Sequence, residues 1–165
     1  MNSEIIVFTD GSLIRKKNKD GSGEKLLAGY AIYFPNGELP NISRPFKFGK
    51  KTNQRTELFA IYVALIVINK NLKYDKIKIY TDSEYSIKSL TKWVFDWEKN
   101  GWKTSSGKSV ENLDIIKPIH NILNKIRNKV TFIHVRSHTG SQDPISISNN
   151  IVDVSARKGA LKSKN

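Results

Sequence analysis

The chain has 165 residues, 28 Lys and Arg against 15 Asp and Glu, a formal charge of +13 and 38% hydrophobic residues, which specifies one globular domain and excludes wholesale disorder. No stretch reaches the about 18 to 20 continuous apolar residues of a membrane span, no signal-peptide pattern opens the chain, and the lack of cysteine excludes disulfides and thiolate metal sites, leaving carboxylates and His to bind hard cations such as Mg²⁺. The excess of Lys and Arg points to a polyanion, nucleic acid or an anionic membrane surface, although biased coding composition would leave the same imprint.

Glu4 to Thr9 is a short apolar run ending at Asp10-Gly11-Ser12, the pattern of a buried strand closed by a turn. Leu13 to Lys25 carries Arg15, Lys16, Lys17 and Lys19 with no apolar period, and reads as an exposed basic loop. Ala28 to Phe34 resumes strand composition, Pro35-Asn36-Gly37 makes a turn, and Ile42 to Phe48 alternates as a third strand. From Asn53 to Lys70, Leu58, Ile61, Leu65 and Ile68 recur at helical spacing behind an N-cap at Thr52 or Asn53. Lys76 to Thr81 is a period-2 strand ending at Asp82-Ser83. Glu84 to Trp97 is helical with an interruption near Thr91, and a basic segment from Asn100 to Lys108 follows. Leu113 to Ile126 carries another helical stripe, Val130 to Val135 a last strand, Arg136 to about Ser148 a polar loop, and Asn149 to Leu161 a short helix.

The order β-β-β-α-β-α-α-β-α implies an α/β domain whose mixed sheet joins an antiparallel three-strand meander to parallel strands through its first strand. Ligands of open α/β sheets gather beyond the carboxyl ends of strands, where the matching endings Thr9-Asp10 and Thr81-Asp82 place two acids face to face if their strands are parallel neighbours. Glu57, in the first turn of its helix near the apolar face, could project over the same edge, and Asp153 begins the second turn of the terminal helix. Each alone has an ordinary explanation as a turn former, a cap or a complement to a helix dipole. Together, in a basic chain without cysteine, four carboxylates suit two Mg²⁺ ions and hydrolysis of a phosphodiester.

The set Thr9 to Ser12, Thr52 to Leu58, Tyr80 to Ser83, Trp93 to Trp97 with Lys99 to Thr104, His138-Thr139-Gly140 and Asn149 to Asp153 resembles type 1 ribonuclease H in its cellular form, over nearly the whole chain. The resemblance implies a five-stranded mixed sheet flanked by helices. It also implies endonucleolytic hydrolysis of the RNA strand of RNA/DNA hybrids, leaving 5′-phosphate and 3′-hydroxyl ends, with two Mg²⁺ ions bound alongside substrate and Mn²⁺ as a substitute. Asp10, Glu57, Asp82 and Asp153 would be the metal-binding carboxylates. His138 would be the loop histidine that assists proton transfer or product release, a role open to an imidazole because it titrates near neutrality. His134, inside a strand, and His120, in a helix, read as structural.

For the substrate, the same resemblance implies RNA contacts from Gly11, Ser12, Asn53 and Gln54, where amides supply both donors and acceptors for 2′-hydroxyls. Trp93 and Trp97, an i, i+4 pair that would otherwise read as core, would line a DNA channel with Ser105 nearby. Thr52 and Asn112 would bind a DNA phosphate with Lys50 as the cation, and Trp102 with Lys99, Lys103 and Lys108 would form a basic protrusion. The departures are the long lysine-rich stretch after Ser12 and an interval between His138 and Asp153 about five residues longer than usual. The expectations are a single catalytic domain over residues 1–165 without a separate hybrid-binding domain, a monomer with no protein partner, and an intracellular site in cytoplasm or nucleus. Two other readings are a junction resolvase on the same fold and a catalytically silent nucleic-acid-binding module, the latter opposed by four mutually repelling acids in one pocket.

Overall fold

In the computed structural model of the protein, residues 3–164 are described; the expected domain limits at 1 and 165 lie outside them. Strands β1 (Glu4–Lys17), β2 (Glu24–Tyr33), β3 (Ile42–Pro45), β4 (Lys76–Thr81) and β5 (Val130–His134) form one sheet in the order β3-β2-β1-β4-β5. The first three pair antiparallel, while β1–β4 and β4–β5 are parallel, so β1 joins the two halves as the order of elements implied.

Helix α1 (Asn53–Asn71) starts at Thr52, whose side chain accepts the Arg55 N–H at 3.1 Å. Its stripe of Leu58, Ile61, Leu65 and Ile68 is fully buried. Burial contributes about 1.5 to 3 kcal/mol per side chain, against at most about 0.7 kcal/mol for each residue of poor helix propensity, so packing decides this helix. Helices α1 and α4 (Leu113–Asn124) share one core with Ile5 and Val7 of β1. On the other sheet face, Phe8, Ala31 and Tyr80 pack with Val152 and Ala156 of α5 (Pro144–Leu161). That approach depends on glycine: a Cβ on Gly29 would lie 2.1 Å from the Ala160 nitrogen.

The predicted break near Thr91 is a π-helical turn, Ser89–Trp93, between α2 (Glu84–Lys88) and α3 (Val94–Lys99). The basic protrusion after α3 is a small hairpin with a Lys103–Ser109 bridge and a Thr104 N–H to Lys108 carbonyl bond of 2.7 Å.

Three expectations are corrected. The stretch from Leu13 to Lys25 is no loop: β1 runs on to Lys17 and pairs with β2 down to Lys17 opposite Glu24, and the hairpin turns through Asn18 to Gly23. Its outer residues, Arg15 to Lys17 with Glu24 and Lys25, are polar and exposed, so no apolar period marks them although the two strands stay in register. The third strand stops at Pro45. Helix α5 starts at Pro144 instead of Asn149, capped by Asp143, which accepts the Ser146 N–H at 3.1 Å, with proline in the first turn, where no donor is lost.

Candidate active site

Three acids converge at one sheet edge. One ligand oxygen from each of Asp10, Glu57 and Asp82 lies within 4.8 Å of the other two. Asp82 stands one residue past β4, beside β1, as the parallel pairing requires. Asp10 is inside β1, opposite Ala31, so the expected strand end there is corrected: the parallel partner stops while β1 continues in the antiparallel arm. Glu57 is the fifth residue of α1, beyond the first turn in which it was expected, and its role as a complement to the helix dipole weakens accordingly. Gly11 brings α1 this close: a Cβ there would sit 2.2 Å from Thr56 Oγ1 and 2.6 Å from the Glu57 nitrogen. Its N–H donates to Asp10 Oδ1 at 3.0 Å.

Asp10 is 2% exposed, and both Asp10 Oδ2 and Glu57 Oε2 are buried without a hydrogen-bond partner. Burial, then the neighbouring Glu57 charge, pushes Asp10 far above the ordinary carboxylate range. Glu57 is raised chiefly by burial, and Asp82 by burial and then by the charge of Asp153. Asp153 adds to the rise at Asp10. It is the tenth residue of α5, in the third turn, because the helix starts earlier than predicted. Orphaned carboxylate oxygens surrounded by like charge are what a hard cation with oxygen preference would satisfy, so these residues fit a divalent metal.

His138 is exposed, with φ 55°, and lines a cavity of about 400 Å³ together with Asp153, Asn149 and Gly140. The structure therefore brings His138 and Asp153 to one cavity. Two residues near the acids escaped the sequence reading as site residues. Asn149 is 3% exposed, lines that cavity and has an unpartnered Oδ1. His134 closes β5 with Nε2 at 3.3 Å from the Asp82 carbonyl, and its charge offsets part of the rise at Asp82. Only the sheet register could have located it.

Trp93 and Trp97 lie with ring centroids 6.0 Å apart, and Tyr85 meets Trp93 edge-on at 6.2 Å. Asn112, in the left-handed region at φ 62°, donates from Nδ2 to the Tyr85 hydroxyl at 2.9 Å. Asn53, Gln54 and Lys50 are exposed around the start of α1, Gly11 and Ser12 are half-buried, and Ser105 is exposed in the protrusion.

A sequence model of the RNase H family matches residues 2–161. The chain is 39% identical over 136 residues to a probable ribonuclease H of Acanthamoeba polyphaga mimivirus, covering 81% of this chain and 58% of that protein. It is 34% identical over 160 residues to a ribonuclease H of Haemophilus influenzae, covering 97% of this chain and 92% of the relative. The chain spans about half the length of several relatives, including those of Schizosaccharomyces pombe and Mus musculus. Among solved structures, the foamy viral protease-reverse transcriptase in complex with RNA/DNA hybrid superimposes with a TM-score of 0.74 at 22% identity, over 98% of this chain and 20% of that one. The fold shared with that enzyme and the near end-to-end match to the bacterial relative lead to one conclusion: the chain belongs to the RNase H family.

Proposed function

We propose that the chain is a metal-dependent endoribonuclease that hydrolyses the RNA strand of RNA/DNA hybrids, leaving 5′-phosphate and 3′-hydroxyl ends. The observation that carries this reading is the cluster of Asp10, Glu57 and Asp82, with two orphaned oxygens, in a family member of net charge +13. Asp10, Glu57, Asp82 and Asp153 would hold two Mg²⁺ ions, or Mn²⁺ in their place. Such ions supply charge neutralisation at the phosphoryl group and activation of the attacking water when bound.

The chain's own groups do the rest. Strand, helix and strand-end positions hold Asp10, Glu57 and Asp82 together before any ligand binds, which favours a preorganised site. His138, on the cavity that Asp153 also lines, exchanges a proton with the departing oxygen or eases product release. Gly11, Ser12, Asn53 and Gln54 address the RNA strand. Trp93, Trp97 and Ser105 address the DNA strand, with Thr52, Asn112 and Lys50 on one of its phosphates. The chain acts as a single catalytic domain over 1–165, as a monomer, in cytoplasm or nucleus. Among the described residues no helix is long and apolar enough to cross a membrane.

The test is to offer labelled hybrid, double-stranded RNA, single-stranded RNA and double-stranded DNA side by side with Mg²⁺, Mn²⁺ or chelator. Internal cuts confined to the RNA of the hybrid and lost with chelator are expected. Cleavage of branched DNA in preference to hybrid, or binding without turnover, overturns the reading.

A further inference from the structure

Arg55 has no role in the chemistry above, yet its guanidinium is held by three other residues. Its side chain is only 7% exposed. Nη1 and Nη2 bond the two carboxylate oxygens of Asp114 at 2.8 and 2.7 Å, Nη2 also donates to the Phe48 carbonyl at 2.9 Å, and Nη1 reaches Asn112 Oδ1 at 3.5 Å. A pair kept for stability alone would be better built. Asp114 is half exposed, and the buried Arg55 Nε–H has no partner. An orphaned buried donor is a cost to the fold.

Asn112 shows a second departure. It precedes the first residue of α4, where asparagine ordinarily accepts a backbone N–H, yet its side chain makes no cap bond and its backbone takes the uncommon left-handed conformation. The amide is instead held between two partners, Oδ1 towards Arg55 and Nδ2 on the Tyr85 hydroxyl. One amide N–H is left over. Thr52 Oγ1 accepts the Arg55 backbone N–H as the helix cap, so its own O–H remains to donate. The Arg55 guanidinium meets only Asn112 of the two, and by holding Oδ1 it leaves the second Nδ2–H of that amide free to donate. Two such donors, with the start of a 19-residue helix and Lys50 close in sequence, suit an anion.

We propose that Arg55 is a positioning residue for the DNA strand: held by Asp114, its guanidinium fixes the Asn112 amide so that the free N–H, together with the Thr52 hydroxyl, grips one backbone phosphate, and Tyr85 fixes the other side of that amide. This rests on the hybrid-cleaving function proposed above. It assigns the grip to a residue that touches neither substrate nor metal.

The experiment uses hybrids carrying a single neutral methylphosphonate at successive DNA linkages. For the wild type, one linkage is expected to cost about tenfold in kcat/KM, the worth of a charge-assisted hydrogen bond or two. Arg55→Lys keeps the charge but loses the two-pronged fork. It is expected to raise KM about tenfold on unmodified hybrid with kcat nearly unchanged, and to show no further penalty at the sensitive linkage. Tyr85→Phe, which leaves the Arg55 clamp intact, should reduce the penalty in part. An Arg55→Lys enzyme that keeps the full position-specific penalty overturns the proposal. If circular dichroism shows that variant to be unfolded, an undiminished penalty in Tyr85→Phe overturns it instead. A wild type that cuts hybrid but tolerates a neutral linkage at every DNA position also defeats the positioning role and leaves the function standing, whereas a wild type that does not cut hybrid defeats the function itself.

Discussion

The two ends of the first two turns of α1 treat buried charge in opposite ways. Arg55 is enclosed with its counterion Asp114 and the Phe48 carbonyl, whereas Glu57, two residues on, is enclosed with the acids Asp10 and Asp82. The Arg55 hydrogen bonds hold Asp114 below the ordinary carboxylate range, whereas burial lifts Asp10 and Glu57 above it. A paired charge stabilises the fold it sits in. A cluster of like charge destabilises it until a ligand arrives, and that difference separates scaffold from active site here.

The sharpest break would come from Asp82→Asn. We expect it to lower kcat on hybrid at least about 10³-fold, since a lost metal ligand forfeits several kcal/mol of charge stabilisation. Gel analysis of labelled RNA would show it, and wild-type rates in the variant would remove the acid cluster from the mechanism. Next in size is stability without metal. Asp10→Asn relieves buried repulsion and should gain about 1 to 3 kcal/mol, or roughly 2 to 4 °C in Tm per kcal/mol for a chain of this size. Mg²⁺ should raise the Tm of the wild type and do little for the variant.

The pH course follows from the signs. Asp10 and Glu57 are raised, so their contribution is present at acid pH and is lost as pH climbs above the ordinary carboxylate range towards their folded values. Asp114 is lowered, so its contribution is present above that range and lost on acidification through its folded value. Metal-free wild type should therefore lose stability from weakly acid to neutral pH, and Asp10→Asn should flatten that limb alone. Chemical denaturation across the range reads both.

Smaller effects sharpen the contrast. His138→Ala should lower kcat about tenfold, below the ~10² to 10⁴ of a fully engaged general acid, because its exposed loop position leaves the ring without a fixed partner. Single-turnover against steady-state rates would separate proton transfer from product release. Asp114→Asn should cost about 1 kcal/mol; the half-exposed partner discounts it from the ~3 to 5 kcal/mol of a fully buried pair. A loss several times larger would make the clamp a pillar of the fold.

Helix α1, strand β4 and the break at Thr91 are legible because their signals are local: a 3.6-residue stripe, a period-2 run, and a change of phase within one segment. Asp10, Glu57 and Asp82, which the structure clusters, could be picked out because their flanking motifs are contiguous. The signature Asp143-Pro144 with Ser146 was also available as a helix start, and its cap geometry is what moves Asp153 to the third turn of α5. The β1–β2 arm was not legible, since Arg15 to Lys17 and Glu24 to Leu26 become strands only by pairing with each other across a turn that no hydrophobic period announces.

By itself the sequence determined the element order, the mixed sheet and the acids, since these follow from periodicity, turn chemistry and motif. Tertiary structure decided which of them meet. The closeness of Gly11 to α1 sets Glu57 against Asp10, parallel register sets Asp82 and His134 side by side, and packing of α4 on α1 puts Arg55 between Thr52 and Asn112. Asp10 and Glu57, Asp82 and His134, and Arg55 and Asn112 stand 47, 52 and 57 positions apart, and contacts of that kind are fixed by packing, for which no local pattern stands in.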